Sequence, residues 1–200
     1  MPRNLALTAL LLWVGRRAGL SFESLGLARD RWGSGLRVGL AAFGVVGVAI
    51  GIGVLLAETV PPIGLLLSDQ RAAVTGGDLA VYALVRIPLG TALFEEVAFR
   101  GVLFAAFLAV TTPWRATWWS SAVFGLWHVA PTAVALSLND LVAASWLGVA
   151  LIVGAVLVTT VAGALFTWLR WRSGSVLAPI VAHVGTNSLG LTAAAFVGAR

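Results

Sequence analysis

Apolar runs of near-membrane length alternate with short polar connections along the chain, and this alternation predicts its elements. The first run, Leu5–Val14, is closed by Arg16 and Arg17. It is shorter than the roughly 20 residues a spanning helix needs, and no small-x-small cleavage site follows, so it reads as a short first span rather than a signal peptide. Ser21–Arg37 is a polar connection. Val38–Ala57 is a clean span containing Gly47-x-x-x-Gly51, a spacing that lets helices approach closely. Glu58–Asp78 is a loop punctuated by Pro61–Pro62 and Gly76–Gly77, with Ile63–Leu67 as an interfacial patch. Leu79–Thr112 is too long for one straight span, and Pro88 and Gly90 predict a kink or break within it. A span from Ala116 to about Val129 meets Pro131, and Thr132–Ala144 is a weaker segment with Asn139–Asp140. Ser145–Leu169 and Ser175–Val197 complete the set. The pattern predicts an all-α polytopic transmembrane bundle of six to seven spans. Residues 1–78 supply N-terminal spans and loops, and residues 79–197 form the core that carries the chemistry.

Composition narrows the class further. The 200 residues are 60% hydrophobic and 10% charged, with a mean hydropathy of +0.98, which is wrong for a soluble globule. There is no cysteine, hence no disulfide framework, thiolate nucleophile or thiolate metal site. All 13 basic residues are arginine. That usage reads as a GC-rich coding sequence and places the protein in a prokaryotic plasma membrane. The net charge of +5 does not indicate nucleic-acid binding, because the arginines cluster in short loops beside spans. Putting the connection at residues 16–37, the turn at Arg115 and the turn at Arg170 and Arg172 on the cytoplasmic side collects eight of the 13 arginines. Trp114, Trp118 and Trp119 around Arg115, and Trp168 and Trp171 around Arg170, read as interfacial belts.

Few titratable groups fall inside the apolar segments, among them the adjacent acids Glu95 and Glu96, then Arg100, and the two histidines, His128 and His183. A charge or imidazole in hydrocarbon costs several kcal/mol unless it is paired or wet. On a helix, residues four apart share a face while neighbours diverge by about 100°. Glu96 and Arg100 therefore form an intrahelical ion pair, and Glu95 points elsewhere with no counter-charge in its own helix. By the same spacing Phe124 lies beside His128, and His183 beside Asn187. Gly125 and Gly185 allow close backbone approach next to these groups. Counted from the arginine turns at about 1.5 Å per residue, His128 and His183 both lie roughly 15–20 Å deep. Glu95 reaches similar depth if part of Thr111–Arg115 is turn. Three helices can thus offer Glu95, His128 and His183 with Asn187 to one buried locus.

Such a set supports two chemistries. A carboxylate and an imidazole on one water make a general-base pair, while a second histidine and an amide stabilise an oxyanion. Alternatively, Glu95, His128 and His183 bind zinc and activate water, although the His-Glu-x-x-His helix is missing. The residues alone do not choose between them.

Glu-Glu-x-x-x-Arg, Phe-x-x-x-His and His-x-x-x-Asn, in this order on hydrophobic segments, resemble the CPBP family of CAAX proteases and bacteriocin-processing enzymes (Abi), including the type II CAAX prenyl endopeptidases. The resemblance covers roughly Leu79 to Leu191. It implies an intramembrane endopeptidase acting on a membrane-associated protein or peptide. In that reading Glu95 and His128 activate water, His183 and Asn187 support the oxyanion, and Glu96, Arg100 and Phe124 are structural or accessory. A metal-free glutamate mechanism is expected, with zinc as the alternative. The competing functions are a proton-coupled transporter and a non-catalytic membrane protein of bacteriocin-immunity type.

Overall fold

The computed structural model describes residues 1–67, 76–138 and 145–199. Asn139–Asp140, expected in a weak segment, and the middle of the Glu58–Asp78 loop lie outside the described residues. Every regular element among the described residues is helical. In chain order these are α1 (Pro2–Arg17), α2 (Trp32–Leu56), α3 (Pro61–Leu67), α4 (residues 76–110), α5 (Pro113–Trp127), α6 (Val129–Leu138), α7 (Trp146–Ser173) and α8 (Leu177–Gly198).

The burial pattern is that of a membrane protein. The exterior carries Leu55, Leu84, Val110 and Trp146, each more than 70% exposed, whereas Glu96, Arg100, Ser120, Ser121 and Thr167 are buried. Four helices are long and apolar enough to cross a membrane: Arg29–Leu56, Pro113–Leu138, Trp146–Ser173 and Leu177–Gly198. Six to seven spans are expected from the apolar runs. α1 has 16 residues, and α4 carries Glu95, Glu96 and Arg100 among its apolar residues.

α4 does not break at Pro88. Its hydrogen-bond ladder widens into π turns at Tyr82–Arg86, Pro88–Ala92 and Val97–Leu103. A π turn absorbs the donor a proline lacks, and such turns gather at functional sites. The chain then reverses tightly. Thr111 is extended, Thr112 caps α5 by accepting from the Arg115 amide, and Pro113 occupies the first turn. α4 and α5 therefore form a hairpin, and residues about four turns from the reversal face each other, Glu95 and Trp127 among them.

α5 packs on α7, α2 packs on α8, and α1 lies along α4. Ser188 of α8 donates to the Ala83 carbonyl of α4 at 2.7 Å. The arginine-bearing connections gather at one end. Arg170 donates through Nη2 to the carbonyls of Glu23 and Ser24 at 3.1 and 3.0 Å. Trp114, two residues past the α4–α5 reversal, lines a cavity together with Trp171 and Arg172. This matches the same-side grouping expected from the arginine bias.

Close helix contact falls 12 residues earlier on α2 than expected. Nothing lies within 4 Å of a Cβ built on Gly51, and Gly47 meets only Leu189 at 3.5 Å. A Cβ on Gly39 would lie 2.8 Å from the Val181 Cβ and 3.0 Å from the Ala178 carbonyl, and one on Gly35 would lie 2.8 Å from Ser175. The working small-x-x-x-small stripe is Gly35-x-x-x-Gly39, and it seats α2 on the N-terminal half of α8. Gly39→Val should cost about 1–3 kcal/mol through overpacking, and Gly51→Ala should be nearly neutral. Melting temperatures of the two variants in detergent check this; equal melting would show that the α2–α8 contact does not depend on Gly39.

Candidate functional site

The π turn Val97–Leu103 follows directly after Leu93–Glu96, so both glutamates sit where α4 changes its winding. Glu96 Oε1 accepts from Arg100 Nη1 at 3.0 Å. The expected ion pair is therefore present, and both side chains are essentially inaccessible. The same oxygen also accepts from His183 Nδ1 at 2.7 Å. This second bond is not legible from the helical spacing, because it crosses from α4 to α8.

Glu95 points to a different partner. Its Oε1 accepts from the Trp127 indole N–H at 3.1 Å. Its Oε2 is buried without a hydrogen-bond partner among the described residues and lies 3.9 Å from His183 Nε2. Glu95 and Glu96 thus flank the two nitrogens of one imidazole.

The bond to a carboxylate requires His183 Nδ1 to carry hydrogen, so in the neutral ring Nε2 presents its lone pair. Asn187 Nδ2 lies 3.0 Å from that nitrogen. α8 passes into a π turn at Gly185–Leu189, which holds Asn187 in register with His183. His183 is stacked on Phe166, with centroids 5.4 Å apart and planes at 29°. Gly185 leaves room for Phe43, whose Cδ2 would be 2.9 Å from a Cβ there.

His128 caps the C-terminus of α5. Its Nδ1 lies 2.8 Å from the Phe124 carbonyl, so Nδ1 is the donor and Nε2 of the neutral ring is the acceptor. The Phe124 ring meets the His128 ring edge-on at 4.5 Å and the His183 ring at 6.3 Å. It also receives the Arg100 guanidinium at 3.9 Å from its centroid. Phe124, expected as an accessory residue, is thus the surface shared by both imidazoles and the arginine. Gly163 of α7 faces Arg100 Nη2, where a Cβ would lie 3.0 Å away. Gly125 lies against Thr160 and the Val156 carbonyl, so a Cβ there would collide with α7.

Glu95, Glu96, Arg100, Phe124, His183 and Asn187 are joined by direct contacts, and His128 joins through Phe124. Sequence reasoning missed Trp127 and Phe166. Trp127 is the residue before His128, and its position one residue from a candidate imidazole was the available signal; tryptophans in such chains read by default as interfacial belts. As for a metal, His183 spends Nδ1 on Glu96, its Nε2 faces Asn187, and Glu95 Oε1 holds Trp127. Among the described residues no group of three His, Asp or Glu side chains is disposed to hold a metal ion.

The fold and this cluster define a helical integral membrane protein with a buried carboxylate–imidazole site. The chain belongs to the Type II CAAX prenyl endopeptidase Rce1-like family, whose family model matches residues 77–189. All seven residues singled out from the sequence motifs lie inside that match. No curated protein and no solved structure matches the chain. Membership makes it a protein of a membrane-embedded CAAX-type protease family.

The two glutamates are unequal partners in stability. Arg100→Ala leaves Glu96 as a buried charge without its cation, and Glu96→Ala strands both Arg100 and His183; each should cost about 3–5 kcal/mol. Glu95→Gln keeps an acceptor for the Trp127 N–H and should melt at or above wild type. Thermal unfolding of the three purified variants decides this, and a low-melting Glu95→Gln beside a normal Arg100→Ala would reverse the assignment.

Proposed function

We propose that the protein is an intramembrane endopeptidase that hydrolyses a peptide bond in a membrane-associated protein or peptide. The observation that carries this reading is that Glu95, unlike Glu96, has no guanidinium bonded to it. One of its oxygens is held by the neutral Trp127 indole, and the other is buried, without a hydrogen-bond partner among the described residues, and 3.9 Å from an imidazole nitrogen. A desolvated carboxylate held in one orientation is the group that takes a proton from an attacking water. In this mechanism Glu95 accepts that proton as the water oxygen adds to the scissile carbonyl. His128 Nε2, its lone pair fixed outward by the bond from Nδ1 to the Phe124 carbonyl, orients the water and relays the proton to the leaving amine.

Asn187 Nδ2 supplies an N–H to the carbonyl oxygen as it becomes an oxyanion. His183 offers a second N–H from Nε2 only as imidazolium, since Nδ1–H is committed to Glu96. Glu96 and Arg100 act by orienting His183. In this reading the mechanism is metal-free: proton transfer falls to Glu95 and His128, and oxyanion support to His183 and Asn187. The exclusive use of arginine supports a prokaryotic plasma membrane as the location.

Hydrolysis of a membrane-anchored reporter peptide should be abolished in Glu95→Gln, which accepts no proton. Substrate-independent ion flux without hydrolysis in wild type would instead identify a transporter. Trp127→Phe removes a hydrogen bond to a charged group and should lower kcat roughly tenfold to a hundredfold with KM little changed. A rise in KM with kcat intact would mean that Trp127 touches substrate rather than positioning Glu95.

Strong chelators should leave turnover intact. Stoichiometric zinc in active protein, with activity lost on its removal and restored on its return, would overturn the metal-free mechanism.

A further inference from the structure

Two cavities share a wall at the arginine-rich end of the bundle, and no residue of the carboxylate–imidazole cluster lines either. The first, about 550 Å³, lies between the connection after α1 and the last turn of α7. Arg31, Arg170 and Arg172 line it, together with four serines and a single acid, Glu23. The second, about 810 Å³, lies between α5 and α7 and is lined by Trp114, Trp118, Trp168 and Trp171 with aliphatic side chains. Trp171 and Arg172 belong to both.

The polar cavity is built rather than incidental. Arg170 is only 8% exposed. Its Nη2 is fixed by the Glu23 and Ser24 carbonyls. Its guanidinium lies against Gly26, a residue at φ +73° where a Cβ would collide with it. Arg170 and Arg172 have no acidic partner among the described residues, and Arg31 meets only the exposed Asp30 at 3.5 Å. Glu23 is exposed, and its contact with Arg170 is through its backbone carbonyl. Three cations therefore lie beside two exposed carboxylates, Glu23 and Asp30, neither of which pairs with Arg170 or Arg172. In the adjoining apolar cavity the Trp118 indole nitrogen is buried without an acceptor among the described residues.

We infer that this end of the bundle binds an anionic phospholipid, its phosphate headgroup among Arg31, Arg170 and Arg172 and an acyl chain in the tryptophan cleft. Charge complementarity selects the headgroup, and the shared wall selects a molecule that is anionic at one end and apolar at the other. A free phosphate satisfies only the first cavity and a neutral lipid only the second. The site lies where the arginine-bearing connections collect, the side on which an anionic leaflet attracts basic residues.

The test is thermal stabilisation of the purified full chain in detergent, titrated with phosphatidylglycerol, with phosphatidylcholine of the same acyl chains, or with inorganic phosphate. Phosphatidylglycerol should raise the melting temperature saturably at roughly tenfold to thirtyfold lower concentration than phosphatidylcholine, and inorganic phosphate should not reproduce the effect. Both Arg31 and Arg172 can be changed without disturbing the packed Arg170, so Arg31→Gln/Arg172→Gln should fold and lose the preference. Ala164→Phe, which fills the apolar cleft, should weaken phosphatidylglycerol binding, while Arg3→Gln should change nothing. The inference is overturned by equal response to the two lipids, by a preference that survives Arg31→Gln/Arg172→Gln, by indifference to Ala164→Phe, or by full stabilisation with phosphate alone.

Discussion

A single carboxylate oxygen, Glu96 Oε1, ties together the parts of this structure that matter. It receives Arg100 from its own helix and His183 from α8. Arg100 in turn lies 3.9 Å from the Phe124 ring centre on α5 and 5.3 Å from that of Phe166 on α7. Four helices therefore meet around one ion pair. In hydrocarbon such a pair is weak evidence for net stability, since the cost of removing two charges from water offsets much of their attraction. What it supplies is uniqueness of arrangement. Any rotation of α4 or α8 that parted His183 from Glu96 would leave a buried carboxylate short of a donor, and few alternative packings avoid that cost.

The aromatic shell follows from the same constraint. A guanidinium that cannot reach water is best covered by faces carrying negative charge density, and Phe99, Phe124 and Phe166 cover Arg100. Closing that shell requires α7 to come within touching distance of α5, which is why glycine stands at 125 and 163. The π turns in α4 and α8 belong to this geometry too. They fall at Val97–Leu103 and Gly185–Leu189, the stretches that bring Arg100 and Asn187 into contact with their partners.

Much of this was legible in the sequence, and for identifiable reasons. Apolar runs and arginine-marked turns are local signals, so the helical class, the α4–α5 reversal and the same-end grouping of the arginine turns could be read directly. The intrahelical pairs Glu96–Arg100 and His183–Asn187 followed from four-residue spacing. The bonds Glu96–His183 and Glu95–Trp127 did not, because they join residues 87 and 32 positions apart, and no helical periodicity reports on which faces of different helices meet. The close-approach stripe on α2 was placed at the wrong glycines for a related cause. Gly35-x-x-x-Gly39 and Gly47-x-x-x-Gly51 are identical patterns, and only the position of α8 decides which is used. Proline at 88 predicted a kink or break, and the helix continues through it with a π turn at Pro88–Ala92.

The adjacency of Glu95 and Glu96 also explains how one site can hold two carboxylates with different jobs. On a helix, neighbouring side chains diverge by about 100°, so no single partner can satisfy both. The residue whose direction coincides with Arg100 and the Nδ1 of His183 is fully engaged at one oxygen. The residue turned toward α5 finds a neutral indole N–H, which holds it in place without cancelling its charge. A cation at position 127 would have tied up the second carboxylate as well, leaving two structural acids and no base. An aliphatic residue there would have left Glu95 free to rotate among its rotamers. An uncharged donor orients one oxygen and leaves the other available, and that combination is what a carboxylate needs to act on water.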